Sequence, residues 1–322
     1  MPASFIPVDQ LCGRPHVVVD GAPRPGTSYT LSHWPGTPTP PLLRADLSAE
    51  TALRALEQPG LLPSPLGAVT VDHYDADGIV ALAMLVLPGL AETAGARLVE
   101  VARVGDFGVV TDEGAALAAF ALDALGVETD PARRALELLP GLLAEPEAFE
   151  RLWGAEHAVY AASLQMMDSG AATLEELPEH DLAVVRVHQR NASARWGDQP
   201  LHLAAVNSAT GCLRVATISE PHGSMDGGRL RSYEVCFRYE SWVRLESTCP
   251  RPRVDLAGLA RTLTSIEPDG APWSFEGAGA LRAALRSDPT SGSAIGEERF
   301  MEELLGALAA LDKGPAAWDP YA

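Results

Sequence analysis

The stretch that most constrains the fold is Val69-Thr-Val-Asp-His-Tyr-Asp-Ala-Asp-Gly78, which runs directly into Ile79-Val-Ala-Leu-Ala-Met-Leu-Val-Leu87. Small and β-branched residues open it, as in a buried strand, and an apolar run of helical length closes it. The pattern predicts strand, acidic loop, helix: the first half of a βαβ unit. His73, Asp75 and Asp77 stand at alternate positions, so an extended loop would project them to one side. Carboxylate oxygens suit magnesium or manganese, and the imidazole tilts the choice toward manganese. In open α/β sheets the carboxyl ends of strands are where ligands sit. The competing reading is a turn in which Asp77 caps the helix that starts near Ile79.

Arg97-Leu-Val-Glu-Val-Ala-Arg103-Val-Gly-Asp106-Phe-Gly108 is the second notable stretch, helix or strand by periodicity. Its end would deliver the Asp106 carboxylate from a neighbouring element to the same edge of the sheet. The alternative is that Asp106 caps a turn and Arg103 is a solvated charge. Upstream, His16-Val-Val-Val-Asp20-Gly is a short strand and turn, and Thr27–Trp34 a second strand, together expected as a hairpin over the main domain. His33, at the end of that second strand, is a candidate site partner; packing is the first expectation for Trp34.

The rest of the chain divides in texture. Residues 1–45 form the N-terminal hairpin or extension. Residues 46–178 are expected to form an α/β metal-binding domain, with a helix capped by Ser48 and helices at Glu113–Leu125, Pro131–Leu138 and Pro146–Met166. Residues 179–322 form a smaller α+β domain with an antiparallel sheet. Its strands are expected at Leu182–His188, His202–Asn207, Gly211–Ile218 and the long alternating run Arg229–Leu245, and helices follow near 254–266 and 296–311. In the long run, Tyr233, Val235, Phe237, Tyr239 and Val243 would face the core, and Arg238 and Arg244 would lie on a wet face with Glu234 and Glu240. The loop Ser219–Gly228 offers His222 and Asp226, more simply read as loop residues.

Composition excludes several chemistries. Net charge is −19, with 24 Lys+Arg against 43 Asp+Glu, and Lys313 is the only lysine. An acidic surface disfavours long nucleic acids and anionic membranes. With no lysine elsewhere, a phosphate-loop lysine, a Schiff-base lysine and a Ser-Lys dyad are excluded or nearly so. Phosphate contacts must come from metal, Arg or backbone N–H. Four cysteines lack Cys-x-x-Cys spacing, against a zinc ribbon or redox dithiol; they are expected reduced and at least partly buried. No apolar run reaches the ~18 residues that span a bilayer and no signal peptide is evident, so a cytoplasmic protein is expected.

At Asp72-His-Tyr-Asp-Ala-Asp-Gly78 the chain resembles the first motif, His-x-Asp-x-Asp, of the DHH phosphoesterase superfamily. That resemblance implies a parallel-sheet N-terminal domain with a smaller C-terminal domain closing over substrate. It also implies a two-metal site, with manganese preferred, in which His73, Asp75, Asp77 and Asp106 are metal ligands. The function expected is a manganese- or magnesium-dependent phosphohydrolase acting on a small phosphorylated or nucleotide substrate; beside the ligands that the resemblance implies, Arg103 is expected to steady the phosphate and His33 to relay a proton. No Asp-His-His occurs in the chain, so either His33 or His157 replaces the missing ligands, the site holds one metal or none, or the chain is a catalytically degenerate DHH-like binding or scaffold protein. The whole chain also looks like an uncharacterised bacterial family carrying Ser-His-Trp, His-x-Asp-x-Asp-Gly and Gly-Asp-Phe-Gly.

Overall fold

The computed structural model describes residues 3–63, 66–188, 201–219, 230–268 and 270–322. It is a mixed α/β structure that separates into two compact units. The first comprises residues 1–159 and 243–249, the second 160–242 and 250–322.

In the first unit, four short parallel strands form one sheet: β1 (Ser4–Phe5), β2 (His16–Val19), β3 (Thr27–Leu31) and β4 (Ala68–Val71), in the order β1-β4-β2-β3. All of β2 and β4 is buried, which explains their unbroken apolar spelling. β2 and β3 are a parallel pair, Val17 beside Tyr29 and Val19 beside Leu31, where a hairpin was expected. The short connection suggests a hairpin because parallel pairing needs a return path. A four-residue strand is only about 13 Å long, and residues 20–26 span that without a helix. Three of the four strands of this sheet therefore come from residues 4–31.

Helices α1 (Ser48–Glu57), α2 (Ala76–Val86), α3 (Leu90–Phe107), α4 (Glu113–Leu125) and α5 (Pro131–Ala144) complete the first unit, and α6 (Glu150–Asp168) spans the boundary between units. Every residue of α2 from Ala76 to Leu85 is buried. An all-round apolar helix has to be a central one, and α1 and α3 pack on it. The ambiguous second stretch is the long helix α3, which ends at Gly108 in a left-handed C-cap, its N–H on the Val104 carbonyl at 3.0 Å.

The second unit holds a mixed sheet, not the purely antiparallel one expected. Its strands are β5 (Ala172–Leu177), β6 (Leu182–Val187), β7 (Arg214–Ser219), β8 (Ser232–Phe237), β9 (Ser274–Phe275) and β10 (Ala284–Arg286), in the order β5-β6-β7-β8-β10-β9. β6 and β7 run parallel. Helix α7 (Leu203–Ala209) stands where a strand was expected at His202–Asn207: the His202 side chain caps it, accepting from Ala204 N at 3.0 Å. α8 (Ala257–Ile266) and α9 (Glu297–Leu311) pack over a core of Tyr233, Val235, Phe237, Trp273 and Phe300. Tyr233, Val235 and Phe237 do face inward, but the strand stops at Phe237. Arg238 is consequently buried and ion-paired with Glu240, not on a wet face. Among the described residues no helix is long and apolar enough to cross a membrane. The four cysteines are free, Cys12 and Cys249 being exposed where partial burial was expected.

Candidate metal centre

Three parallel strands bring their carboxyl ends to one edge of the first sheet, and each ends in a ligand-type residue. β2 is followed by Asp20, β3 by Ser32 and His33, and β4 by Asp72 and His73. Asp20 holds a left-handed backbone, φ 45°, a conformation that aspartate tolerates better than most residues. Such strain persists where surrounding structure imposes it, and it clusters at functional sites.

The acidic motif is split by the start of α2. Asp75 is its N-cap, accepting from Gly78 N at 2.8 Å, and Asp77 and Gly78 already belong to its first turn. His73, Asp75 and Asp77 therefore do not line one side of an extended loop. His73 and Asp75 pair at 2.5 Å, Nε2 to Oδ2. Asp77 turns the other way and accepts from the Ser48 and Ala49 amides at the start of α1, both at 2.8 Å. It does cap a helix, but α1 and not its own. Ser48 is not the cap of α1; its hydroxyl donates to Asp20 Oδ1 at 2.7 Å.

His33 is fixed from behind. Its Nδ1 lies 2.6 Å from the Asp46 carbonyl oxygen, which can only accept, so Nδ1 carries the proton. Nε2 then faces Asp20 Oδ1 at 3.5 Å, Asp77 Oδ2 at 3.6 Å and Asp106 Oδ2 at 3.4 Å. A carbonyl behind one imidazole nitrogen is the usual support for a metal-binding histidine. Two ligands bound at about 2.1 Å to one cation stand about 3.0 Å apart in octahedral geometry and about 3.4 Å in tetrahedral geometry, so these spacings need little adjustment.

Asp106 arrives on the last turn of α3, not at a strand end. Helix α3 can press against α2 there because Gly105 lacks a side chain: a Cβ would lie 2.3 Å from the Ala76 Cβ. Gly78 serves the same end, since a Cβ on it would meet Val71 Cγ2 at 2.6 Å and Asp20 Oδ2 at 3.2 Å.

Two groups of three side chains have ligand atoms close enough to share a cation: Asp20, His33 and Asp77, completely buried, and Asp20, His73 and Asp75, nearer the surface. Asp20 belongs to both. Asp106 meets the first group at His33. Asp20 Oδ2 is buried, with His73 Nε2 at 3.6 Å and no hydrogen bond to it among the described residues. Burial, then the charges of Asp75 and Asp77, holds the Asp20 carboxyl well above the usual carboxylate range. Burial also raises Asp77, against the opposing pull of His33 and the α1 amides. Burial alone would lower His73, but the Asp75 hydrogen bond and charge outweigh it and leave that imidazole raised. Among the described residues no arginine pairs with Asp20, Asp75 or Asp77. Buried carboxylates without a cationic partner are costly, and a divalent cation is the counter-charge that this donor set of oxygen and imidazole fits.

A family model covers residues 1–320, that of a family of unknown function, DUF6687. The chain belongs to that family. Comparison with curated proteins finds no match.

In this DUF6687 member the structure brings together His33, His73, Asp75, Asp77 and Asp106 of the residues singled out from sequence. Arg103 is engaged elsewhere, its guanidinium 3.0 Å from Glu50 Oε1 and 3.5 Å from Glu100 Oε1. His33, expected as a proton relay or as a replacement ligand, has a ligand's position: its side chain has no exposure to solvent, whereas that of His73 is 38% exposed. Asp20 is the residue that sequence reasoning missed. Its signal was present, because Val-Val-Val-Asp20-Gly and Val-Thr-Val-Asp72-His share the same grammar of buried strand and terminal aspartate. His222 and Asp226 lie outside the described residues.

Proposed function

We propose that this DUF6687 protein is a divalent-metal-dependent phosphohydrolase acting on a small phosphorylated or nucleotide substrate, with manganese or magnesium as the ion. The observation that carries the reading is the shared Asp20: one buried carboxylate common to two three-ligand groups at a sheet's carboxyl edge. A cation bound there lowers the pKa of a coordinated water and polarises a phosphoryl oxygen. The chain's own residues divide the remaining work. His33, held through Nδ1 by Asp46, and Asp77, held by two α1 amides, form the rigid inner group. His73 and Asp75 form the accessible outer group, where a substrate phosphate can approach from solvent.

A second reading is favoured by one observation. Asp75 and Asp77 both spend oxygens on helix caps, as they would in a non-catalytic scaffold. Hydrolysis of bis-(p-nitrophenyl) phosphate and of nucleoside phosphates, measured with manganese and with EDTA, separates the two. The hydrolase reading expects manganese-dependent turnover that Asp75→Ala lowers by at least about 100-fold, as expected when a ligand and not a supporting residue is lost. Manganese binding with no turnover of any phosphoester would sink it in favour of the scaffold.

A further inference from the structure

A cavity of about 230 Å³ opens in the first unit, lined by Ser32, His33, Trp34, Arg44, Arg244 and Glu246 among others. Trp34 is its link to the metal centre, since the indole lies against the His73 imidazole with ring centroids 5.3 Å apart. Two arginines line this one small cavity in a chain of net charge −19. Arg244 is balanced by Glu246, Nε to Oε1 2.9 Å. Arg44 is not balanced: its Nε donates to the Thr39 carbonyl at 3.1 Å, and among the described residues no carboxylate pairs with it. The cavity's charged side chains therefore sum to one positive charge. Arginine presents its terminal N–H groups as a fork suited to phosphate or carboxylate oxygens. The space has room for a phosphate or carboxylate group and a few carbons.

We infer that this cavity is an anion subsite, in which Arg44, flanked by Arg244 and walled by Trp34, holds a second anionic group of the substrate while the reacting phosphoryl group lies at the metal centre. The substrate class that follows is a small molecule with two anionic groups, such as a bisphosphate or a phosphorylated carboxylic acid. That the anion is part of a substrate rests on the hydrolase reading; the cavity's affinity for an anion does not.

The test is isothermal titration of the full-length protein with inorganic phosphate in EDTA, so that the metal centre plays no part. The expected result is saturable one-to-one binding, weakened about 10- to 100-fold in Arg44→Gln and partly retained in Arg44→Lys. Arg134→Gln, on the outer face of α5 where Arg134 pairs with Glu137, should bind as wild type does, and unchanged melting temperatures establish that the variants are folded. Absence of phosphate binding, or equal binding by wild type and folded Arg44→Gln, would overturn the subsite whether or not manganese binds. Manganese binding with no phosphate site would leave the metal centre intact and this inference refuted. If phosphate binds and Arg44→Gln then raises KM for phosphorylated carboxylic acids, but not for p-nitrophenyl phosphate, its place in substrate recognition is supported; an equal effect on both substrates would contradict that place.

Discussion

At the scale of single residues, the site is a problem of buried charge. Asp20 has no exposure to speak of, one oxygen taken by Ser48 and the other facing His73. Without a cation its ionised form is disfavoured, which is why its carboxyl is raised. Asp20→Asn keeps the shape and removes the charge. In metal-free buffer at neutral pH, that variant is expected to melt at or above the wild-type temperature, because an uncompensated buried charge is gone. On adding manganese the wild type should gain stability as RT ln(1 + [L]/Kd), and Asp20→Asn should not. Differential scanning calorimetry reads both; a variant less stable than wild type without metal, yet equally responsive to manganese, would show that Asp20 is a structural residue. Asp20 also shows why the sequence hid part of the site. An aspartate followed by glycine after a strand is the ordinary spelling of a turn, and only the parallel pairing of β2 with both β3 and β4 carries it to His33 and His73.

At the scale of elements, close helix approach positions the ligands. α3 brings Asp106 to His33 only because Gly105 meets Ala76 without a side chain. Gly105→Ala is expected to cost about 1–3 kcal/mol by overpacking and to weaken metal binding by moving Asp106. Urea unfolding and a metal titration check the two halves, and a variant with unchanged stability would contradict the packing described. Elements with a long, single-sense pattern were legible in advance: the strand and helix around the acidic motif, and α4 with its bounds at Glu113 and Leu125. Elements whose identity depends on a partner were not. Residues 97–108 have helical and strand spellings alike, and His202–Asn207 reads as strand until the His202 ring accepts from the Ala204 amide. The parallel β2–β3 pair was hidden for the same reason, since a seam's direction is set by what flanks it.

At the scale of the whole molecule, acidic residues outnumber basic ones 43 to 24, and nearly every basic residue is an arginine. Arg214, buried in the second unit, makes a two-pronged pair with Asp312 at 2.9 and 2.6 Å, and Arg251 joins it at 3.2 Å. Burial would raise Asp312, but the hydrogen bonds and charges of Arg214 and Arg251 prevail and hold it below the usual carboxylate range. A depressed folded-state value means that the contribution is fully present above the unfolded value of about 3.9 and is lost as pH falls through the folded one. Asp312→Asn should therefore cost on the order of 2 kcal/mol at pH 7, discounted for partial exposure. The gap to wild type should close in acid below about pH 4. Chemical denaturation across pH 3–8 checks this, and a gap that is constant with pH would rule the ion pair out as its source.

The most direct measurement of the central claim is anomalous diffraction from a crystal grown with manganese. Density is expected between Asp20, His33 and Asp77, with a second peak between Asp20, His73 and Asp75, each about 2.0–2.3 Å from its ligand atoms. Manganese bound only elsewhere, or a strand edge with no peak at saturating metal, would contradict it.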